Sequence, residues 1–294
     1  ARAIAGQALS IFGDHSDVMA VRQTGFGLIC SHTVQEAHDI AAVAHAASLR
    51  SGLPLIHFFD GFRTSHELSK VKLMNTDALG SMLDPVGVDR HRRRALNPTH
   101  PHLQGTSQGP DIYFQNVEAA NPMFAKLPDA IEGAFDDFAA LSGRRYSFFE
   151  YVGHPEPDRV LVIMGSGAIT AEETVNYLIE KEEKVGVIKV RLYRPWVAEA
   201  FLDALPLSTK SIAVLDRCKE PGSFGEPLFL DVAATLHGNR KDTSVIGGRY
   251  GLGSREFDPS MVLAVFRNLQ SEHPKERFTV GIVDDVMHLS LKEM

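Results

Sequence analysis

Cysteine is nearly absent: Cys30 and Cys218 are the only two in 294 residues, and no C-x-x-C occurs. This chain's own thiolates therefore build neither a structural zinc site nor an iron–sulfur cluster. So few thiols, far apart in sequence, fit a reduced intracellular compartment. No run of 18 apolar residues exists, so nothing reads as a membrane-spanning helix. Positive charge is short: 30 Lys and Arg stand against 37 Asp and Glu, a net charge of −7. That balance points to no nucleic acid and no anionic membrane as partner. The one basic cluster, RHRRR at 90–94, has no interleaved aromatics and reads as a solvated helix face. P-loop, nucleophile-elbow and H-E-x-x-H motifs are missing.

What is present is globular: 44% apolar and 23% charged residues over a length that suits two domains. The opening ARAIAGQALSIF has the look of a short signal core but no clear cleavage site, so the start reads as mid-domain. In the second half, RVLVIMG (159–165), KVGVIKVRLY (184–193), SIAVLDR (211–217), TSVIGG (243–248) and RFTVGIV (277–283) are short β-branched runs suited to strands covered on both faces. Between them lie four helical patterns. Thr170 and Glu173 form a capping box, Pro195 opens a helix at its first position, Gly238 ends another, and Asp258 with Pro259 starts the last. Strands alternating with helices predict a parallel, doubly wound α/β sheet. In the first half, GFGLICSH (25–32) reads as a strand, Thr33 and Glu36 cap a helix ended by Gly52 and Pro54, and LPLIHFFD (53–60) is the next buried strand. Five prolines within 97–128 predict a long ordered loop, followed by a helix over 129–141. The boundary falls near EYVGHPEPDR (150–159), giving units 1–152 and 153–294.

Four stretches carry candidate chemistry. MGSGAIT (164–170) is a strand–glycine–helix turn able to receive a phosphate, yet it lacks the third glycine of G-x-G-x-x-G and reads better as a tight βα turn. IFGDHSD (11–17) offers Asp14, His15 and Asp17 to a metal. It also looks like the GDG that opens the magnesium–diphosphate motif of thiamine enzymes, but His15 fills the small third position and no Asn occurs before Asn75. A polar turn whose carboxylates cap neighbouring N–H groups is the better reading, and no metal is assigned. HFFDGFRTSHE (57–67) follows a strand at the edge where α/β proteins place ligands. There Arg63, His66 and Glu67 either orient a substrate or form an interdomain or subunit ion-pair cluster. His100 and His102 lack a third ligand.

The strings ALSIFGDHSDVMAVRQTGF, LPLIHFFDGFRTSHELSKV, NPTHPHLQGTSQGPDIYFQ, KVRLYRPW, LDRCKEPG and GRYGLGSREF together resemble, in order, the pyruvate:ferredoxin (flavodoxin) oxidoreductases and their NADP-linked relatives. The resemblance implies the end of a pyrimidine-type domain of a thiamine diphosphate enzyme, followed by a doubly wound domain similar to the C-terminal domain of transketolase. It implies oxidative decarboxylation of pyruvate with CoA to acetyl-CoA and CO₂. Electrons would pass through iron–sulfur clusters to ferredoxin, flavodoxin or an NADP-linked reductase. The Glu that activates the aminopyrimidine ring, a Thr near the substrate, the CoA-binding domain, the cluster-binding segments and the diphosphate–magnesium domain would lie outside this chain, which would be inactive alone. By the same resemblance Arg2 grips the pyruvate carboxylate and Ile11 packs against its methyl, while Asp14, His15, Arg63 and His66 line the wall or an interface. A homodimer of the complete enzyme, in the cytoplasm or the matrix of a mitochondrion-related organelle, is the expected setting. The alternatives are a non-catalytic structural or interaction subunit, another 2-oxoacid oxidoreductase, or the similar amino-terminal region of a sulfite reductase flavoprotein.

Overall fold

A computed structural model describes residues 3, 8, 10–101, 105, 107–284 and 286–293. Two sheets organise them. The first half begins with α1 (Ser16–Ala20), β1 (Gly27–Cys30), α2 (Val34–Ser51) and β2 (Leu55–Phe58). Thr33 caps α2 by accepting the Glu36 N–H, and Gly52 ends it at φ +75°, as the sequence predicts. The Glu36 carboxylate departs from the expected box. It accepts the His32 N–H at 2.9 Å, one residue earlier, and takes Arg191 Nη2 at 2.7 Å.

Next come α3 (Thr76–Ser81), α4 (Pro85–Arg93), α5 (Pro110–Glu118), α6 (Asn121–Ala125) and α7 (Leu127–Ser142). The basic cluster is only partly a solvated face. Arg90 folds back to donate to the Leu49 and Arg50 carbonyls at 2.6 and 2.8 Å, closing the C-terminal end of α2. The long loop expected over 97–128 is corrected as well. Pro110, Pro122 and Pro128 lie in the first turns of α5, α6 and α7, where a missing N–H costs no hydrogen bond.

The second half runs β3 (Phe149–Gly153), β4 (Arg159–Ile163), α8 (Gly167–Ile179), β5 (Val185–Val190), β6 (Leu192–Arg194), α9 (Ala198–Ala204), β7 (Ser211–Asp216), α10 (Pro227–Asn239), β8 (Ser244–Arg249), α11 (Pro259–Gln270) and β9 (Arg277–Thr279). Six strands form one sheet in the order β3-β5-β4-β7-β8-β9, parallel except for β3 against β5. β3 belongs to this sheet, so the chain enters it at Phe149. Alternate residues explain the unbroken apolar runs. Val160, Val162, Ile188, Val190, Ile212 and Val214 face a core shared with the first half. Leu161, Ile163, Val185, Val187, Ala213 and Leu215 face α8 and α11. Each such Val, Leu or Ile side chain contributes about 1.5–3 kcal/mol when fully buried.

The run 184–193, read from sequence as one strand, is two. β5 lies in the six-stranded sheet, while β6 joins β2 and β1 in a three-stranded sheet of order β2-β1-β6. Arg191 stands at the break. Its N–H donates to Phe148 O and its carbonyl accepts the Cys30 N–H at 2.7 Å. Its fully buried guanidinium joins Glu36 and Glu150, one carboxylate from each half. Three helix boundaries also differ from expectation. α8 starts at Gly167, a turn before Thr170, and Gly238 lies inside α10. Pro195 follows a cis bond outside α9.

Candidate functional site

The GDHSD turn lies in the seam between the two halves. Asp14 is buried, and its Oδ1 accepts the Ser16 N–H and Oγ–H at 2.9 and 2.6 Å. Its Oδ2 accepts the Gly253 N–H at 3.2 Å. This is the capping turn anticipated from sequence. His15 is buried too; its backbone N–H donates to Arg217 O at 2.8 Å.

Asp60 is the hub that sequence reasoning missed. It follows β2 and is 1% exposed. Its Oδ1 lies 2.7 Å from His15 Nε2, and its Oδ2 accepts the Ser166 N–H at 2.8 Å and Oγ–H at 2.5 Å. Arg217 Nη1 pairs with the same oxygen. Burial alone would raise the Asp60 carboxyl, but His15, Arg217 and the Ser166 bond outweigh it and hold the group well below the ordinary carboxylate range.

Its location decides the reading of MGSG. The chain leaves β4 for β5 on one side and returns to β7 on the other, so the carboxyl ends of β4 and β7 form the topological switch point where such sheets take ligands. Ser166 follows β4 and Arg217 follows β7. The Asp60 carboxylate, from the other half of the molecule, lies in that crevice at the start of α8. It takes the place a phosphate would take. Gly165 leaves the needed room: at φ +85°, a Cβ there would lie 2.8 Å from His15 Nε2 and 2.9 Å from Asp60 Oδ2. The tight-turn reading of MGSG therefore has a cause. Asp216, at the end of β7, likewise caps α10 through the Leu228 and Phe229 N–H groups; burial pushes its carboxyl up to about 7 against that pull.

Beside the hub opens a cleft of about 350 Å³ lined by Arg63, His66, Ser166, Arg217, Tyr250 and Arg255 among others. Its guanidinium groups are already engaged. Arg63 reaches Glu256 at 3.1 Å and the Ser254 carbonyl at 2.7 Å, an interdomain contact of the kind weighed from sequence. Arg255 Nε donates to Gly281 O at 2.8 Å. His66 is exposed and stacks on Phe62, ring centroids 4.8 Å apart. Phe62 also meets Phe12 edge-on at 5.0 Å, tying the 60s loop to the turn. Ile11 is 54% exposed and Phe12 47%, an apolar pair facing outward from a turn whose next three residues are buried.

The structure thus gathers Asp14, His15 and Arg63 at the seam, with His66 on its rim and Ile11 on the open side. Arg2 and His102 lie outside the described residues; Ala3 donates its N–H to the Phe12 carbonyl at 3.1 Å. Sequence reasoning missed Asp60, Ser166, Arg217 and Ser254. The available signal was an Asp closing a buried strand, directly before a glycine. Among the described residues, no group of three or more His, Cys, Asp or Glu side chains is arranged to hold a metal ion, and no helix is long and apolar enough to cross a membrane.

The fold is that of a solved chain from the 2-oxoacid:ferredoxin oxidoreductases. That chain, a 2-oxoglutarate:ferredoxin oxidoreductase from Magnetococcus marinus, superposes with a TM-score of 0.54 over 90% of this chain and 47% of its own, at 16% identity. Residues 1–136 match the family profile described as pyruvate flavodoxin/ferredoxin oxidoreductase, thiamine diP-bdg, and residues 157–262 match pyruvate:ferredoxin oxidoreductase core domain II. A pyruvate-flavodoxin oxidoreductase of a Nostoc species is 52% identical over 99% of this chain and 72% of its own length. One from Rhodospirillum rubrum is 56% identical over 99% of this chain. The chain belongs to the pyruvate-flavodoxin/ferredoxin oxidoreductase family. It spans about a quarter of the Rhodospirillum protein, 25% of that length.

The donor set fits thiamine diphosphate in part. The outward-facing Ile11 and Phe12 suit an apolar wall. The nearby carboxylates, Asp14 and Asp60, are consumed by internal bonds and supply no diphosphate–metal cradle.

Proposed function

We propose that this chain is a segment of a thiamine diphosphate-dependent pyruvate oxidoreductase. The complete protein converts pyruvate and CoA to acetyl-CoA and CO₂ and passes electrons through iron–sulfur clusters to ferredoxin, flavodoxin or an NADP-linked reductase. Its thiamine diphosphate and Mg²⁺ are completed by portions beyond these residues. It works as a homodimer in the cytoplasm or in a mitochondrion-related matrix. Within this chain the division is the end of a pyrimidine-type domain over 1–152 and a transketolase C-terminal-like domain over 153–294, with β3 crossing from the first unit into the second unit's sheet.

The observation that carries the reading is the exposed Ile11 on a turn whose following residues are locked between both halves. Such a turn presents a side chain to a partner surface while its own backbone is fixed. Arg2 binds the pyruvate carboxylate, since a guanidinium offers two parallel donors to it. Ile11 packs against the methyl and excludes water. The cofactor, when bound, supplies the carbon nucleophile; the residues of this chain hold and orient the substrate. Asp14, His15, Arg63 and His66 support the wall rather than touch pyruvate.

The purified 294-residue chain, given pyruvate, CoA, thiamine diphosphate, Mg²⁺ and a viologen acceptor, is expected to reduce no acceptor. The full-length oxidoreductase is expected to do so. Turnover by the isolated chain would contradict the division of labour. A silent full-length protein would favour the structural-subunit reading instead.

A further inference from the structure

Within the turn that carries Ile11, the backbone of Gly13 is held from the other half by one residue, Ser254. The buried Gly13 donates its N–H to Ser254 Oγ at 3.0 Å, and Ser254 N–H donates to Gly13 O at 2.7 Å. Both backbone groups of Gly13 are thereby satisfied by a residue 241 positions away. Ser254 Oγ also lies 3.1 Å from Gly13 O and 3.4 Å from Gly61 O, so its single proton serves either loop. Its carbonyl accepts Arg63 Nη2 at 2.7 Å. The neighbouring Gly253 adds the bond to Asp14. Ser254 does this at φ +60°, a left-handed conformation that glycine adopts freely and a residue with a side chain does not. The backbone alone would be better served by glycine. The hydroxyl makes bonds that glycine lacks.

We propose that Ser254 is a positioning residue. It fixes the 10–15 turn against the loop at Gly61–Arg63 and so sets how far Ile11 projects toward the substrate. The inference rests on the reading of Ile11 as the wall against the pyruvate methyl. A wall held this way acts on binding and on selection by size more than on the chemical step.

The test uses the full-length oxidoreductase carrying Ser254→Ala or Ser254→Gly. Both variants are expected to raise KM for pyruvate by about tenfold, the scale of one lost hydrogen bond to a buried group, with kcat held within about twofold. Both should also lose several-fold of the preference for pyruvate over 2-oxobutanoate, which is one methylene longer. Ser254→Gly should melt close to the wild type, because glycine relieves the strained backbone, and Ser254→Ala should melt lower. The glycine variant thus separates lost positioning from lost folding. Unchanged KM and unchanged selectivity in both variants, with the wild type active on pyruvate, would overturn the role of Ser254 alone. No pyruvate turnover by the wild type would remove the underlying reading and this role with it.

Discussion

Replacing Asp60 with asparagine is expected to lower the unfolding free energy of the 294-residue chain by about 3–5 kcal/mol, the usual penalty for removing one partner of a buried charge pair. The physical reason lies in what surrounds it. The carboxylate meets His15, Ser166 N–H and Oγ–H, and Arg217, all in the seam. An amide keeps one acceptor and brings an NH₂ group toward donors that need acceptors. Arg217 is 3% exposed and would lose its carboxylate partner there. Thermal melting, followed by circular dichroism, should fall by roughly 5–15 °C.

The same substitution should change the acid limb of the stability curve. The folded Asp60 carboxyl sits below its unfolded value. Its contribution is therefore fully present above the unfolded pKa of about 3.9 and is lost as the pH falls from there toward the folded value. Glu36 works in the same direction: burial would raise it, but His32 and Arg191 hold it below the ordinary range. The wild type should lose melting temperature more steeply below about pH 4 than Asp60→Asn does, because the variant lacks one of these groups. Equal slopes and equal melting temperatures would show that Asp60 does not carry the seam.

The second large effect concerns Arg2. In the full-length oxidoreductase, Arg2→Ala is expected to lower kcat/KM for pyruvate by about a hundredfold or more. Two charge-assisted bonds to a carboxylate contribute about 1.5–3 kcal/mol each. Lysine keeps the charge but not the planar fork, so Arg2→Lys should fall between the two. Melting should be unaffected. Stopped-flow or steady-state kinetics across pyruvate concentrations decide it, and wild-type kinetics in Arg2→Ala would remove Arg2 from the site.

These effects differ in how far the sequence announces them. The local features were legible because their causes are local. Thr33 and Gly52 bound α2, and Asp258 with Pro259 starts α11 by accepting the Ser260 and Met261 N–H groups. β4, β5, β7, β8 and β9 show as β-branched runs because both faces of that sheet are covered, whereas β3, the antiparallel edge strand, was not read as a strand. Long-range features were not legible. The run 184–193 carries no mark at Arg191 to say that its two ends join different sheets; the break coincides with the one guanidinium that Glu36 and Glu150 both meet. The capping anion at the start of α8 stands 106 residues earlier in the chain, at Asp60. Prolines within 97–128 suggested loop because proline opens a helix as readily as it ends one. Of the site, the GDHSD and GFRTSHE strings stood out; their partner Ser166 lay in MGSGAIT, read only as a tight turn, and Arg217 and Ser254 lay in LDRCKEPG and GRYGLGSREF, where nothing local says which side chain reaches across the molecule.

Pyruvate labelled at its carboxyl carbon tests the central claim most directly, in the full-length protein supplied with CoA, thiamine diphosphate, Mg²⁺ and either ferredoxin, flavodoxin or NADP. Release of labelled CO₂ in step with acetyl-CoA formation and acceptor reduction is the predicted result. Labelled carbon that stays in pyruvate while every acceptor remains oxidised would contradict it.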